Sequence, residues 1–217
     1  MITFDRAALD ALPRRERANF LNGLSGFKSA NLLGTADANG RTNLALMSSV
    51  FHVGAAPPLL GLLIRPHTVP RHSLENLLER GEYTLNHVAE SFHERAHLSS
   101  ASQPREVSEF ESAGLTPAWS PNLSAPYVAE SPVQIGLRLR EHHTLTSNGC
   151  VLVVGEVCEL RLREDTRSAD GQLDLQALGV VTVSGLDEYH RTRSLGRQPY
   201  AKAPPTSPGS SEPSGTG

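Results

Sequence analysis

The sequence is short of most features that would mark a special compartment or a highly charged partner. Its 217 residues include two cysteines, Cys150 and Cys158, and two lysines, Lys28 and Lys202. On one extended strand the two cysteines stand about 26 Å apart, beyond the reach of a disulfide, so they read as free thiols of a reducing compartment. No apolar run approaches the roughly 20 residues of a membrane-spanning helix. The opening MITFDRAALD carries charge where a signal peptide has its apolar core. The expectation is a cytoplasmic protein with no membrane partner. A formal net charge of -3 offers no basic surplus for nucleic acid. A GxGxxG fingerprint, a P-loop and a GxSxG elbow are all missing, so dinucleotide-fold, NTPase and serine-hydrolase readings lack their signatures. What remains is ordinary for one good-sized globular domain, with 38% hydrophobic and 20% charged residues.

The hydrophobic pattern is mostly that of strands. After a helical stretch over about 5–23, interrupted by Pro13, two apolar segments flank Asn39-Gly40, a type I′ hairpin signal. PPLLGLLIR at 57–65 reads as a buried strand. A helix capped by Ser73 follows, with Leu74, Leu77 and Leu78 at helical spacing and Gly81 as its stop. YTLNHV is another strand. Residues 89–132 are mostly polar, with a short helix near 108–113 and an irregular proline-bearing stretch. Ile135, Leu137 and Leu139 alternate with polar residues, and Asn148-Gly149 leads into VLVVGEVCELRL. There Leu152, Val154, Cys158, Leu160 and Leu162 share one face, and Glu156 in that phase predicts a bulge at Gly155 or, less simply, a buried functional carboxylate. VVTVSGL at 180–186 is the last expected strand. From Pro204 a Pro/Ser/Gly-rich tail has almost nothing to bury and is expected to be disordered. Six or so strands with a few small helices make a mostly antiparallel barrel.

Three segments could carry chemistry. His93-Glu94-Arg95-Ala96-His97 matches HExxH, in which two histidines on one helix face grip zinc and the glutamate activates water. Gln103 stands where a third histidine would fall, SSASQP ends the helix early, and only Glu109 or Glu111 could replace it. Two surface or cleft histidines are the simpler reading. The run from Asn43 to Phe51 is extended and rich in small residues, ending in Ser48 and Ser49. It would let a planar ligand lie against backbone amides, or it is simply a strand. Arg65 and Arg71 flank the start of the helix, where unpaired N–H groups and the helix dipole favour a phosphate. On the residues alone, that reading and a solvated loop stand about even.

Together these segments resemble the flavin reductase-like, FMN-binding split-barrel family. The resemblance rests on GFKSANLLGT at 26–35, TNLALMSSVFHVG at 42–54, RPHTVPRHSLENL at 65–77, AHLSSA, VSEFESAGL, APYVAESPVQIGL at 125–137, NGCVLVVGE, SGLDEYH at 184–190 and PYAKA at 199–203. It covers about residues 20–203, making 1–203 one domain. It implies a mainly β fold, an FMN-binding split barrel with short peripheral helices, and a homodimer. The strand bearing Asn43, Ala45, Met47, Ser48, Ser49 and Val50 would line the flavin ring. Arg71, His72 and Ser73, with Arg65, would receive the phosphate. Asn86, His97, Ser99 and Ser100 would contribute from the next strand and loop, and His190 and Tyr200 would close the site. Ser73 replaces the family's usual threonine and keeps its hydroxyl; Cys150 also stands where threonine is usual. Ala96-His97 belongs to the family pattern and His93 does not. The implied activity is hydride transfer from NADH or NADPH to flavin N5, with no catalytic side chain assigned and with a monooxygenase or redox protein as a possible acceptor. An FMN-binding electron carrier is the alternative, and a zinc hydrolase through HERAH the remote one.

Overall fold

The structure, a computed structural model, describes residues 1–163 and 166–201. The tail expected from Pro204, and the end of the PYAKA segment, lie outside the described residues. Twelve strands are present among the described residues, twice the expected number. Seven form the main sheet: β2 (Asn31–Ala36), β3 (Thr42–Met47), β4 (Val50–Ala55), β5 (Pro58–Ile64), β6 (Glu82–His87), β9 (Val133–Thr144) and β10 (Val151–Leu162). Their order is β3-β2-β6-β9-β10-β5-β4, and every pairing is antiparallel.

That order dictates the barrel. β3 and β4 are the two edges of the sheet, yet only Ser48 and Ser49 separate them in sequence. Three Cα steps span at most about 11 Å, so the sheet must roll until its edges nearly meet. Ser49 marks the closure, its carbonyl accepting from the Leu63 N–H at 3.0 Å. β3 remains unpaired on its outer side, and this is the split.

Inside the barrel, Leu33, Leu62, Ile64, Tyr83, Leu85, Ile135, Leu137, Val151 and Val153 form one core. A second core lies outside the β3-β2-β6 edge. There Leu32, Leu44 and Val88 pack against Phe92 and Ala96 of the segment holding α4 (His93–Leu98), Phe110 of α5 (Glu109–Ser112), and Val128 of β8 (Leu123–Val128). The stretch expected to be irregular supplies β8 and its partner β7 (Pro117–Ser120). Prolines do not exclude strands there because this hairpin joins no larger ladder. A small sheet of β1 (Lys28–Ser29), β11 (Val181–Ser184) and β12 (Glu188–Arg191) completes the β structure.

The N-terminal helical stretch is two helices, α1 (Arg6–Ala11) and α2 (Arg14–Gly23), broken at Pro13 as a missing N–H and fixed φ require. Neither Asn-Gly turn is type I′, which needs positive φ at both central residues. In each turn only the glycine, Gly40 or Gly149, is left-handed, and the asparagine before it is not. At the first turn the Asp37 carboxylate accepts from the N–H groups of Asn39 and Arg41, and Gly40 N donates to Asp37 O, so the aspartate sets the turn.

β10 also departs from the single apolar face. Val151, Val153 and Val157 point inward, whereas Leu160 and Leu162 stand opposite the inward Ile135 and Val133. A register shift around Cys158 reverses the alternation, as a bulge does. The bulge expected at Gly155 is present between Val154 and Gly155, with Arg140 of β9 as the extra residue. Glu156 is accordingly no buried carboxylate but the ion-pair partner of Arg140. Gly155 itself is required because a Cβ there would lie 2.1 Å from the Tyr83 hydroxyl.

His87 ends β6 opposite Asn31, with its Nδ1 sealed from water and unpartnered. Burial pushes its imidazole down to about 4. The unfolded chain therefore binds a proton that the folded chain refuses between about pH 6.5 and pH 4. Stability is full above that window and falls through it by about 3 kcal/mol at most. Urea unfolding at stepped pH is expected to show this slope, reduced by about one proton in His87→Gln; an unchanged slope would mean His87 titrates normally.

Candidate flavin cleft

The open edge of β3 is where an extended ligand meets unpaired backbone. Leu44 N donates to the Glu109 carboxylate at 3.1 Å, so the even-numbered amides point away from β2. The next in phase is that of Leu46. Beyond it the chain leaves the sheet at half-buried Ser48 and exposed Ser49.

One end of this edge is tied to a helix tip. α3 (His72–Arg80) begins after Arg71, and its first helical bond is Glu75 N to Arg71 O. The N–H groups of residues 72–74 stay outside the helical ladder, available to an anion. Ser73 is not the cap. Its buried hydroxyl donates to Asn43 Oδ1, whose amide nitrogen donates to Glu109. Ser73, Asn43 and Glu109 thus form a buried chain joining the helix tip, the strand and α5. Around it, Ser108 bonds Thr42 at 2.7 Å, and Arg105 pairs with Glu75 in the first turn of α3. Arg71 donates from Nε only to Pro66 O at 3.4 Å, and no carboxylate pairs with its guanidinium among the described residues. A cation left free beside open helix amides suits a phosphate.

From Asn43 to Ser48 an extended chain covers about 17 Å, roughly the length of a stretched flavin mononucleotide. A group with a planar ring and a terminal phosphate therefore fits: phosphate at the α3 tip, ring toward Ser48. Replacing Glu109 with alanine would strand the Asn43 amide and Leu44 N–H. We expect a stability loss of about 2–3 kcal/mol in urea unfolding. A variant as stable as the parent would remove Glu109 from this role.

Other expected contributors lie elsewhere. Asn86 is fully buried in the second core; it donates to Leu32 O and Thr84 Oγ1 and accepts from Val128 N, with no face on the cleft. Its work is to hold β8. Ser99 spends its hydroxyl on Ala96 O, and Ser100 is exposed. His97 Nδ1 lies 3.0 Å from the Tyr189 hydroxyl, at the border of the second core that Leu46 also touches. His190 bonds Ser184 and packs edge-on against Phe27. Tyr200 is 89% exposed and reaches none of these groups. Glu109, Ser108 and Arg105 were missed; nothing in the sequence ties Asn43 to a glutamate 66 positions away.

The HERAH segment has other uses for its rings. His93 Nδ1 is 2.8 Å from Glu90 O, and both imidazoles pack on Tyr189. Glu109 is turned to β3, and among the described residues no cluster of three or more His, Cys, Asp or Glu side chains could hold a metal ion.

Known proteins share this architecture. A split barrel domain protein of Shewanella frigidimarina is 46% identical with a TM-score of 0.90, covering 93% of this chain and 100% of its own. Nitrilotriacetate monooxygenase component B of Bacillus cereus is 22% identical with a TM-score of 0.81, over 91% of this chain and 98% of its own. An FMN-binding protein of Thermus thermophilus is 19% identical with a TM-score of 0.68, over 80% and 90%. The last two likenesses concern the fold alone. The model of the flavin reductase like domain matches residues 24–178, a span that takes in the whole cleft from β3 to α5 and Arg71 between them. With barrel, split edge and sequence in agreement, the chain belongs to the flavin reductase-like domain family.

Proposed function

We propose that the protein binds FMN along the open edge of β3 and passes hydride from NADH or NADPH to it. The observation that carries this reading is the pairing of an unneutralised Arg71 at a helix tip with an open strand edge one flavin length long. The family and the FMN-binding relative of like fold support it.

In this reading FMN, when bound, supplies the electron-accepting N5. The chain binds and orients. Arg71 and the first N–H groups of α3 hold the phosphate, with Ser73 fixing the tip against Asn43. The amides of Leu46 and the Ser48-Ser49 crossing address the polar ring edge, and preorganised amides there stabilise negative charge as it grows. Ala45, Met47 and Val50 give the ring its apolar bed. A second copy of the chain covers the N-terminal segment, whose helices bury none of their own residues and which exposes Phe4 before α1 and Phe20 and Leu21 on α2; light scattering at the mass of one chain would refute this.

The test is anaerobic. FMN-loaded protein is expected to bleach on addition of NADH or NADPH. Bleaching only with dithionite or a protein reductant would make it an electron carrier. A colourless protein that takes up no flavin would end both readings.

A further inference from the structure

The α3 tip carries an acid of its own. Glu75 stands in the first turn of the helix. One of its carboxylate oxygens accepts from the Arg71 N–H at 3.3 Å and lies 2.8 Å from His67 Nε2. Those two contacts pin the 66–71 loop to the helix and so set the course of the chain into the open N–H groups of residues 72–74. The bond from Arg71 Nε to Pro66 O, next to Arg65, lies within the same loop. This lacing also brings a negative charge to the amide just before those that would hold a phosphate. A carboxylate so close opposes an anion there.

Arg105 offsets that charge. It comes from the segment between α4 and α5, pairs with the other oxygen of Glu75, and donates from Nη1 to Asn76 Oδ1 at 3.3 Å. Asn76 is buried and donates in turn to Thr35 of β2 at 3.2 Å, so a fixed neighbour steers the guanidinium. Both side chains of the ion pair are 33% exposed, where such a contact adds little to stability. Its charge balance, by contrast, is felt several Å away by a bound dianion. We propose that Arg105 is a specificity-determining residue of the flavin site that acts through Glu75. It cancels the carboxylate that laces the loop, and thereby sets how strongly the α3 tip takes a phosphate. This rests on the FMN reading and deepens it.

Full-length apoprotein of the parent, Arg105→Gln, Glu75→Gln and the double variant would be titrated with FMN and with riboflavin. The titrations are run at about pH 8, where a phosphate monoester carries two charges. Arg105→Gln should weaken FMN binding about tenfold, by exposing the phosphate to an unbalanced carboxylate. Glu75→Gln keeps an oxygen for the Arg71 N–H and frees Arg105, so it should tighten FMN about tenfold. The double variant should return to within about twofold of the parent. Riboflavin should bind all four alike, and added salt should shrink the differences in FMN affinity. A loss of FMN affinity that Glu75→Gln does not reverse would make Arg105 a direct phosphate ligand and overturn the proposal. Equal losses of both flavins would make the pair structural and overturn it too. A parent that prefers FMN, with variants no different from it, would overturn the charge balance and leave the FMN reading standing. Equal affinity of the parent for both flavins would instead bring down the phosphate site, and this proposal with it. Should Arg105→Gln fail to fold, Glu75→Gln decides alone: FMN bound no tighter than by the parent overturns the proposal.

Discussion

Arg71→Ala is expected to weaken FMN binding by about 1.5–3 kcal/mol, the worth of a charge-assisted hydrogen bond, or about ten- to more than a hundredfold in Kd. Arg71 is the cation to choose because its guanidinium is committed only weakly, to one carbonyl at 3.4 Å. Its loss leaves no buried partner unsatisfied, so the fold should be spared and affinity should carry the effect. Arg71→Lys should recover part of it, since lysine keeps the charge but not the fork of donors. Fluorescence titration of apoprotein is the measurement, and unchanged affinity in the alanine variant would take Arg71 out of the site.

A second large effect is expected far from the cleft, at Gly34 on β2. A Cβ built there would stand 2.3 Å from Pro126 O and 2.5 Å from Thr84 Oγ1. Those two atoms are themselves hydrogen-bonded at 2.6 Å, between β6 and the β7–β8 hairpin lying over it. A methyl group cannot enter without pushing backbone away and breaking that bond. Overpacking and the lost hydrogen bond together should cost about 3 kcal/mol or more, a fall in melting temperature of about 6–12 °C for a chain of this size. Gly23→Ala is the control: it ends α2 with nothing within 4 Å of its Cβ. Alanine there should be neutral or stabilising by up to about 1 kcal/mol. If Gly34→Ala melted with the parent, the hairpin would not be packed as described.

Much of the barrel was legible because its signals are local. The apolar run of β5, the alternation of Ile135, Leu137 and Leu139, and the Gly81 stop of α3 all read correctly from neighbours in sequence. The errors came where distant contacts overrule local pattern. Ser73 has the sequence of an N-cap, but Asn43, 30 positions away, takes its hydroxyl. Asn-Gly promised a type I′ turn, and the Asp37 carboxylate imposed another. The even apolar phase of β10 looked continuous because no sequence rule announces the bulge at Cys158. Asn86 had the right chemistry for a ligand contact and was drawn instead into a core that exists only once β8 folds over it. The two arginines of the cleft were legible as charge beside a helix start.

The whole account turns on one ligand stretched between the α3 tip and the Ser48 crossing. Apoprotein of the parent and of Arg71→Ala should be titrated with FMN and with riboflavin, which has the same ring and lacks the phosphate. The account predicts that riboflavin binds the parent more weakly than FMN does, and that Arg71→Ala lowers FMN affinity while leaving riboflavin affinity nearly unchanged. Equal affinity of the parent for both flavins, or an equal loss of both on removing Arg71, would contradict it.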